Sequence, residues 1–179
     1  MAIEDVHSRL RELLRSFKAD ACLVRSRGLV LYEDAAELVV AETAPGGRLH
    51  LLTPAAADAW RKMKQAAAAD GIAIHVVSAF RSFERQAELI SAKLQSGQRI
   101  DEVLSVVAPP GCSEHHSGRA VDIGTSCCPA LEEIFETTPA FAWLTANARR
   151  FGFAMSYGRS NPFGFIYEPW HWCCNAAAE

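Results

Sequence analysis

The sequence predicts an α+β fold: a single domain with a central antiparallel sheet flanked by helices. Three observations lead there. Short β-branched runs bounded by Gly, Pro and Ser are interspersed with patterns of helical period. The two kinds of element mix without the strand–helix–strand rhythm of a parallel sheet. The chain has 179 residues, half of them apolar, which is enough for one packed core and too little for two.

Each element has its own signal. Val6, Leu10, Leu13, Leu14 and Phe17 recur at helical spacing, so the first helix is amphipathic and docks on a partner surface. Residues 21–52 alternate loosely, with "CLVRSRGLVLY" (22–32) and "AELVVAET" (36–43) as strands before the turn "APGGR". "TPAAADAWRKMKQAAAADG" is the clearest helix: Thr53 is placed to cap it, Pro54 suits its first turn and Gly71 ends it. "IAIHVVSAF" (72–80) follows as a buried strand. "SFERQAELISAKLQSG" is the next helix, capped by Ser82 and stopped at Gly97, and "RIDEVLSVV" is a short one before the loop "APPGCS".

"GRAVDIG" (118–124) reads as a strand with Val121 and Ile123 on one face and Asp122 on the other. A final helix lies between Thr138 and Gly152. "FAMSY" and "GFIYEPWHW" (164–172) read as the last strands, separated by the turn "GRSNPFG".

Composition excludes several function classes. The net charge is −3 and no Lys/Arg cluster offers a footprint for nucleic acid or an anionic membrane. No run approaches the roughly 18 apolar residues of a membrane span. The N-terminal "MAIEDVHSRLRELL" lacks the pattern of a signal peptide, so the sequence as written is expected in the cytoplasm, with export by a separate leader left open. Of the six cysteines, Cys127–Cys128 and Cys173–Cys174 are adjacent pairs without zinc-knuckle spacing. All six are expected as reduced thiols, the alternative being a bridge between the pairs.

His115, Asp122, Glu168 and His171 offer the chemistry of a catalytic metal site: three ligands of the His/Asp type and a carboxylate to take a proton from water. Gly118 between His115 and Asp122 suits a tight loop that returns the carboxylate to the imidazole. Glu168 and His171 stand three apart across a proline, where a turn aims both at one point. This is not the helical H-E-x-x-H pattern, and each residue alone also suits an ordinary surface, cap or rim role. His7, His50 and His75 read as surface or core histidines.

Three stretches carry a resemblance. "SEHHSGRAVD" resembles the S-x-H-x-x-G-x-A-x-D signature of the VanY-type D-alanyl-D-alanine carboxypeptidases, zinc peptidases of the group that also holds lysostaphin-like peptidases and the Hedgehog domain. "EPWHW" is similar to the family's E-x-x-H signature, and "SAFRSFERQ" to S-x-Y-R-S-x-x-x-Q, with Phe80 in the tyrosine place. The resemblance covers about residues 48–175. It implies a peptidase core over 48–179 with its zinc site on the sheet face, and leaves 1–47 as a helix-and-strand extension packed on that core. It further implies one zinc ion held by His115, Asp122 and His171, with Glu168 as general base. Arg81 would anchor the substrate carboxylate, and Gln86 and Ser113 would contact substrate. His116 is expected not to ligate, and Tyr157 falls near the pocket without a role.

The function implied is zinc-dependent removal of a C-terminal D-alanine from a peptidoglycan-type peptide. An L,D-carboxypeptidase or an endopeptidase with the same zinc site is the alternative, and a non-catalytic metal-stabilised binding module is a further one. Retention of Glu168 argues against the binding module, and Arg81 against the endopeptidase.

Overall fold

The structure is a computed structural model and describes residues 3–20 and 22–175. Six α-helices run in chain order among them: α1 Ile3–Ser16, α2 Leu23–Ser26, α3 Pro54–Ala69, α4 Phe83–Gln95, α5 Ile100–Val106 and α6 Pro139–Asn147. Six strands accompany them: β1 Val39–Thr43, β2 Leu49–Leu52, β3 His75–Ser78, β4 Ala120–Gly124, β5 Phe153–Met155 and β6 His171–Cys174. The last four form one antiparallel sheet in the order β3-β4-β6-β5, and β1 and β2 pair as a separate hairpin. The α+β architecture with antiparallel sheets and flanking helices is therefore as the sequence predicts.

The main core lies on one side of the four-stranded sheet. Val121 and Ile123 of β4 are fully buried there among Trp60, Met63, Leu144, Phe153 and Trp172. Asp122, between them, must point the other way, because successive side chains on a strand alternate faces. Register then sets its neighbours: Asp122 pairs with Ser78 of β3 and with His171 of β6. Three polar side chains thus share one line across the face opposite the core.

The helix signals hold with one exception in detail. Ser82 accepts a hydrogen bond from the Arg85 N–H at 3.2 Å and so caps α4, and Thr138 caps α6 by accepting from Phe141 N–H at 3.1 Å. Thr53 sits at the cap position of α3 in extended conformation, but its side chain makes no capping bond. Beyond Asn147 the final helix tightens into a 3₁₀ turn over Ala148–Phe151, and a further 3₁₀ turn forms at Glu133–Thr137.

Two expected strands differ. Residues 22–32 hold the single turn of α2 and then an irregular strap with no sheet partner. Its Leu29 and Leu31 pack against Leu10, Leu14 and Cys112, so the alternation records burial on one side rather than a ladder. Of 164–172 only His171 and Trp172 are strand, within β6. Pro169 has no N–H to give to a ladder, and Phe165 and Ile166 before it line the cleft described below. All six cysteines are free. Among the described residues, no helix is long and apolar enough to cross a membrane.

Candidate metal centre and substrate cleft

His115 lies on a 3₁₀ turn, Glu114–Ser117, directly before β4. Gly118 ends the turn at φ 64°, a left-handed conformation that favours glycine. A Cβ there would stand 3.0–3.1 Å from side-chain atoms of Ala35, Leu38 and Thr53, so the sharp reversal needs the missing side chain twice over. The reversal returns the chain so that His115 Nε2 meets Asp122 Oδ2 at 3.2 Å. His171 Nδ1 meets Asp122 Oδ1 at 3.0 Å. One ligand atom from each of these three buried residues lies within 4.8 Å of the others. Glu168 Oε2 stands 4.0 Å from His171 Nδ1, on a turn closed by the His171 N–H to Glu168 carbonyl bond.

Charge balance argues that this cluster is built for a cation. Asp122, Glu114 and Glu168 surround the two imidazoles, and the Arg81 guanidinium stands beside them with Nη2 at 4.0 Å from Asp122. Burial opposes a charged His171, yet hydrogen bonds to Asp122 and Glu114 outweigh it and push the group up to about 10. Burial likewise works against ionised Asp122, but the two histidines hold its carboxyl far below the usual range. A proton on His171 therefore occupies charge space that a metal ion would fill. His115 Nδ1 is buried without a hydrogen-bond partner. Two imidazoles and one carboxylate form a zinc-type donor set that leaves a position open. The residues fit such an ion.

Glu168 is mostly buried, and burial pushes its carboxyl up to about 7, in the range suited to a general base near neutrality. The metal donors and Glu168 open into a cleft of about 420 Å³. Arg81, Gln86, Ser113 and Tyr157 line it too. Arg81 donates to Gln86 Oε1 at 2.9 Å and to Ser78 Oγ at 3.1 Å. Gln86 is only 1% exposed and donates its amide N–H to the Ala108 carbonyl at 2.7 Å. Its amide is thus engaged at both ends, and what it does in this structure is hold Arg81. Tyr157 stacks on the His171 ring at 4.6 Å.

His116 turns away from the cluster. Its Nε2 accepts from Gly111 N–H at 3.0 Å, so Nδ1 carries the proton and donates to the Arg81 carbonyl at 2.6 Å. It ties the metal-bearing turn to the start of α4.

Sequence reasoning missed Glu114. Its Oε2 lies 2.9 Å from His171 Nε2 and accepts from Ser156 Oγ at 2.6 Å. Holding the Nε2 proton leaves Nδ1 on the Asp122 side, the geometry that orients a metal-binding imidazole. Adjacency to His115 was the available signal, but a sequence does not reveal which way one residue of a 3₁₀ turn points.

A buried His–Asp–His cluster, with a base-type carboxylate beside it and an arginine in the same cleft, has the layout of a metallopeptidase site. The family follows from sequence: residues 49–176 match the VanY D-alanyl-D-alanine carboxypeptidase model, and the chain belongs to that family. A D-alanyl-D-alanine carboxypeptidase of Enterococcus faecalis is 36% identical over 118 residues, covering 60% of this chain and 42% of that protein. The chain spans 43% and 42% of the first two curated relatives, well under half of each. Among solved structures, the LdcB LD-carboxypeptidase superposes with TM-score 0.72 at 31% identity, covering 80% of this chain and 69% of that one. VanYB in complex with D-alanine-D-alanine gives TM-score 0.64 at 29% identity, covering 81% and 79%. A vancomycin-resistance D,D-pentapeptidase VanY in complex with Zn(II) gives 0.64 at 28%, covering 84% and 88%.

Proposed function

We propose that this protein is a zinc-dependent carboxypeptidase that removes a C-terminal D-alanine from peptidoglycan-type peptides. The observation that carries the reading is the convergence of His115, Asp122 and His171 within 4.8 Å in a cleft that also holds Glu168 and Arg81. Residues 48–179 are the peptidase core on this reading, with 1–47 as an extension packed on it.

Zinc held by His115, Asp122 and His171 would supply Lewis acidity to polarise the scissile carbonyl and activate a water. Glu168 takes the proton of the attacking water and passes it to the leaving amine. Its elevated affinity for a proton suits both halves of that transfer. Arg81 grips the terminal carboxylate through two parallel charge-assisted bonds, held in place by Gln86 and Ser78. Ser113, buried on the cleft wall, contacts substrate near that anchor. The apolar walls exclude competing water and strengthen each of these interactions.

Similarity to LdcB supports a second reading, L,D-carboxypeptidase activity with the same residues. D-alanine release from D-Ala-D-Ala, a pentapeptide and a tetrapeptide, with and without chelator, separates the two. Release from the first two substrates and its loss on chelation is expected. Release from the tetrapeptide alone selects the L,D reading, and chelator-insensitive turnover overturns both. Amidating the terminal carboxylate tests the anchor, since losing a buried charge-assisted contact costs about 2–5 kcal/mol. Equal cleavage of acid and amide would remove Arg81 from that role.

A further inference from the structure

We propose that His116 is a positioning residue of the reaction: its ring clamps the backbone of Arg81 to the turn that carries His115, and so sets the span between the carboxylate anchor and the metal donors. The proposal deepens the carboxypeptidase reading above and rests on it for the role of Arg81.

The sequence sets two histidines side by side at 115 and 116. On a 3₁₀ turn successive side chains stand about 120° apart, so the two rings face different ways. His115 faces Asp122. His116 points into the protein, fully buried, and stacks on Phe83 with 6.3 Å between ring centroids. A neutral buried imidazole needs a partner for each nitrogen, one accepting and one donating. Nε2 accepts from the Gly111 N–H at 3.0 Å, and Nδ1 donates to the Arg81 carbonyl at 2.6 Å. Asp34 Oδ1 lies 3.4 Å from the same Nδ1.

What singles out this ring is where its second bond goes. The Arg81 N–H donates to the His115 carbonyl at 3.3 Å. Both backbone groups of Arg81 are therefore held by two consecutive residues of one turn, and the first of these is a metal donor. Gln86 and Ser78 orient the far end of the Arg81 side chain, but they do not hold its backbone. The span matters because the bond to be cut lies one residue in from the terminal carboxylate, at most about 3.6 Å of chain. Arg81 Nη2 stands 4.0 Å from Asp122 Oδ2, so the anchor and the metal donors work at that range. A misplacement of about 1 Å between reacting groups costs on the order of 10²-fold in rate. A histidine buried for stability alone gains as much from any nearby carbonyl, whereas this one bonds the anchor itself.

The test separates the two ring bonds. Asn carries its amide N–H₂ where the ring has Nδ1, so His116→Asn keeps the donor to Arg81 and loses the acceptor for Gly111. Gln carries its amide oxygen out to the place of Nε2, so His116→Gln does the reverse. A peptide ending in D-Ala-D-Ala and its C-terminal amide are assayed against the zinc-loaded natural protein and both variants. His116→Gln should keep zinc and lose about 10–100-fold in kcat/KM on the free acid, with the acid-over-amide ratio falling by the same factor. His116→Asn should keep both zinc and the natural ratio. Urea denaturation should show similar stability losses in the two, since each gives up one buried bond. Calorimetric affinities of both peptides for zinc-loaded Glu168→Ala protein, alone and with either substitution, read the same ratio without turnover. Absence of D-alanine release, with acid-selective binding lost in His116→Gln only, would sink the carboxypeptidase reading and leave the clamp standing. Nitrogen-15 NMR of the natural protein reads the His116 tautomer whether or not the variants fold: a proton on Nδ1 is expected, and one on Nε2 removes the clamp. Equal loss of the ratio in both variants, an unchanged ratio or lost zinc in His116→Gln, or no acid preference in the natural protein overturns the proposal.

Discussion

Glu168 and Glu114 are both carboxylates close to His171, yet their surroundings differ. Glu168 makes no hydrogen bond to the imidazole, lies 4.0 Å from Nδ1 and is raised by burial toward a proton-accepting role. Glu114 also suffers burial, but hydrogen bonds to His171 and Ser156 keep it ionised and fixed. Glu168→Ala should therefore retain zinc and lose turnover by about 10²–10⁴-fold, the range of a general acid–base group. Metal content and kcat measured on one preparation check this, and near-normal kcat would reassign the residue. Glu114→Gln should keep the shape of the site and weaken zinc affinity by about 10–100-fold, because the partner that fixes the imidazole loses its charge. Competition with a chelator of known affinity reads this directly. Unchanged affinity would show that Glu114 does not orient the ligand.

At the scale of elements, three strands and one strap position the centre. Register across β3, β4 and β6 puts Ser78, Asp122 and His171 in line. The strap between α2 and β1 then fastens the loop that carries His115: Tyr32 N–H donates to the Gly111 carbonyl at 2.7 Å, and Ala35 N–H to the His116 carbonyl at 2.8 Å. Asp34, on the same strap, accepts from Phe83 N–H with both oxygens at 3.0 and 3.1 Å, pinning the start of α4 two residues after Arg81. Arg27 donates to the Phe163 and Leu104 carbonyls and lies 4.3 Å over the Phe165 ring, which packs on Tyr157. Segments outside the matched family region thus buttress the cleft. Asp34→Ala should cost about 1 kcal/mol, as for loss of a helix N-terminal acceptor, with zinc retained. Urea denaturation of the zinc-loaded protein measures it. A loss of zinc would mean that the strap governs the centre itself.

For the whole molecule, the metal donors come from chain segments that meet only after folding. His171 is 49 residues from Asp122, and His115 lies across a reversal from both. An ion bound to the folded state alone stabilises it by about 3–4 kcal/mol at 100 to 1,000 times its Kd. For a domain of this size that corresponds to about 5–15 °C in Tm. Chelation should lower Tm by that amount and zinc should restore it. A Tm indifferent to chelator would mean that the three residues close by hydrogen bonding alone.

The sequence by itself determined the α+β class, most helices with the cap at Ser82, and singled out His115, Asp122, His171, Glu168 and Arg81, which the fold gathers at one cleft. Those signals are local: periodicity, cap chemistry and short motifs are written within a few residues. Only the tertiary structure decided what the strap, Gln86 and Glu114 do. Leu29 and Leu31 alternate like strand residues, but whether a ladder partner exists depends on chain far away. Gln86 reads from the sequence as a substrate contact, and only the fold shows its two amide ends meeting Arg81 and Ala108. Glu114 gains its task from His171, 57 residues on, and no local pattern records a contact that long-range packing alone creates.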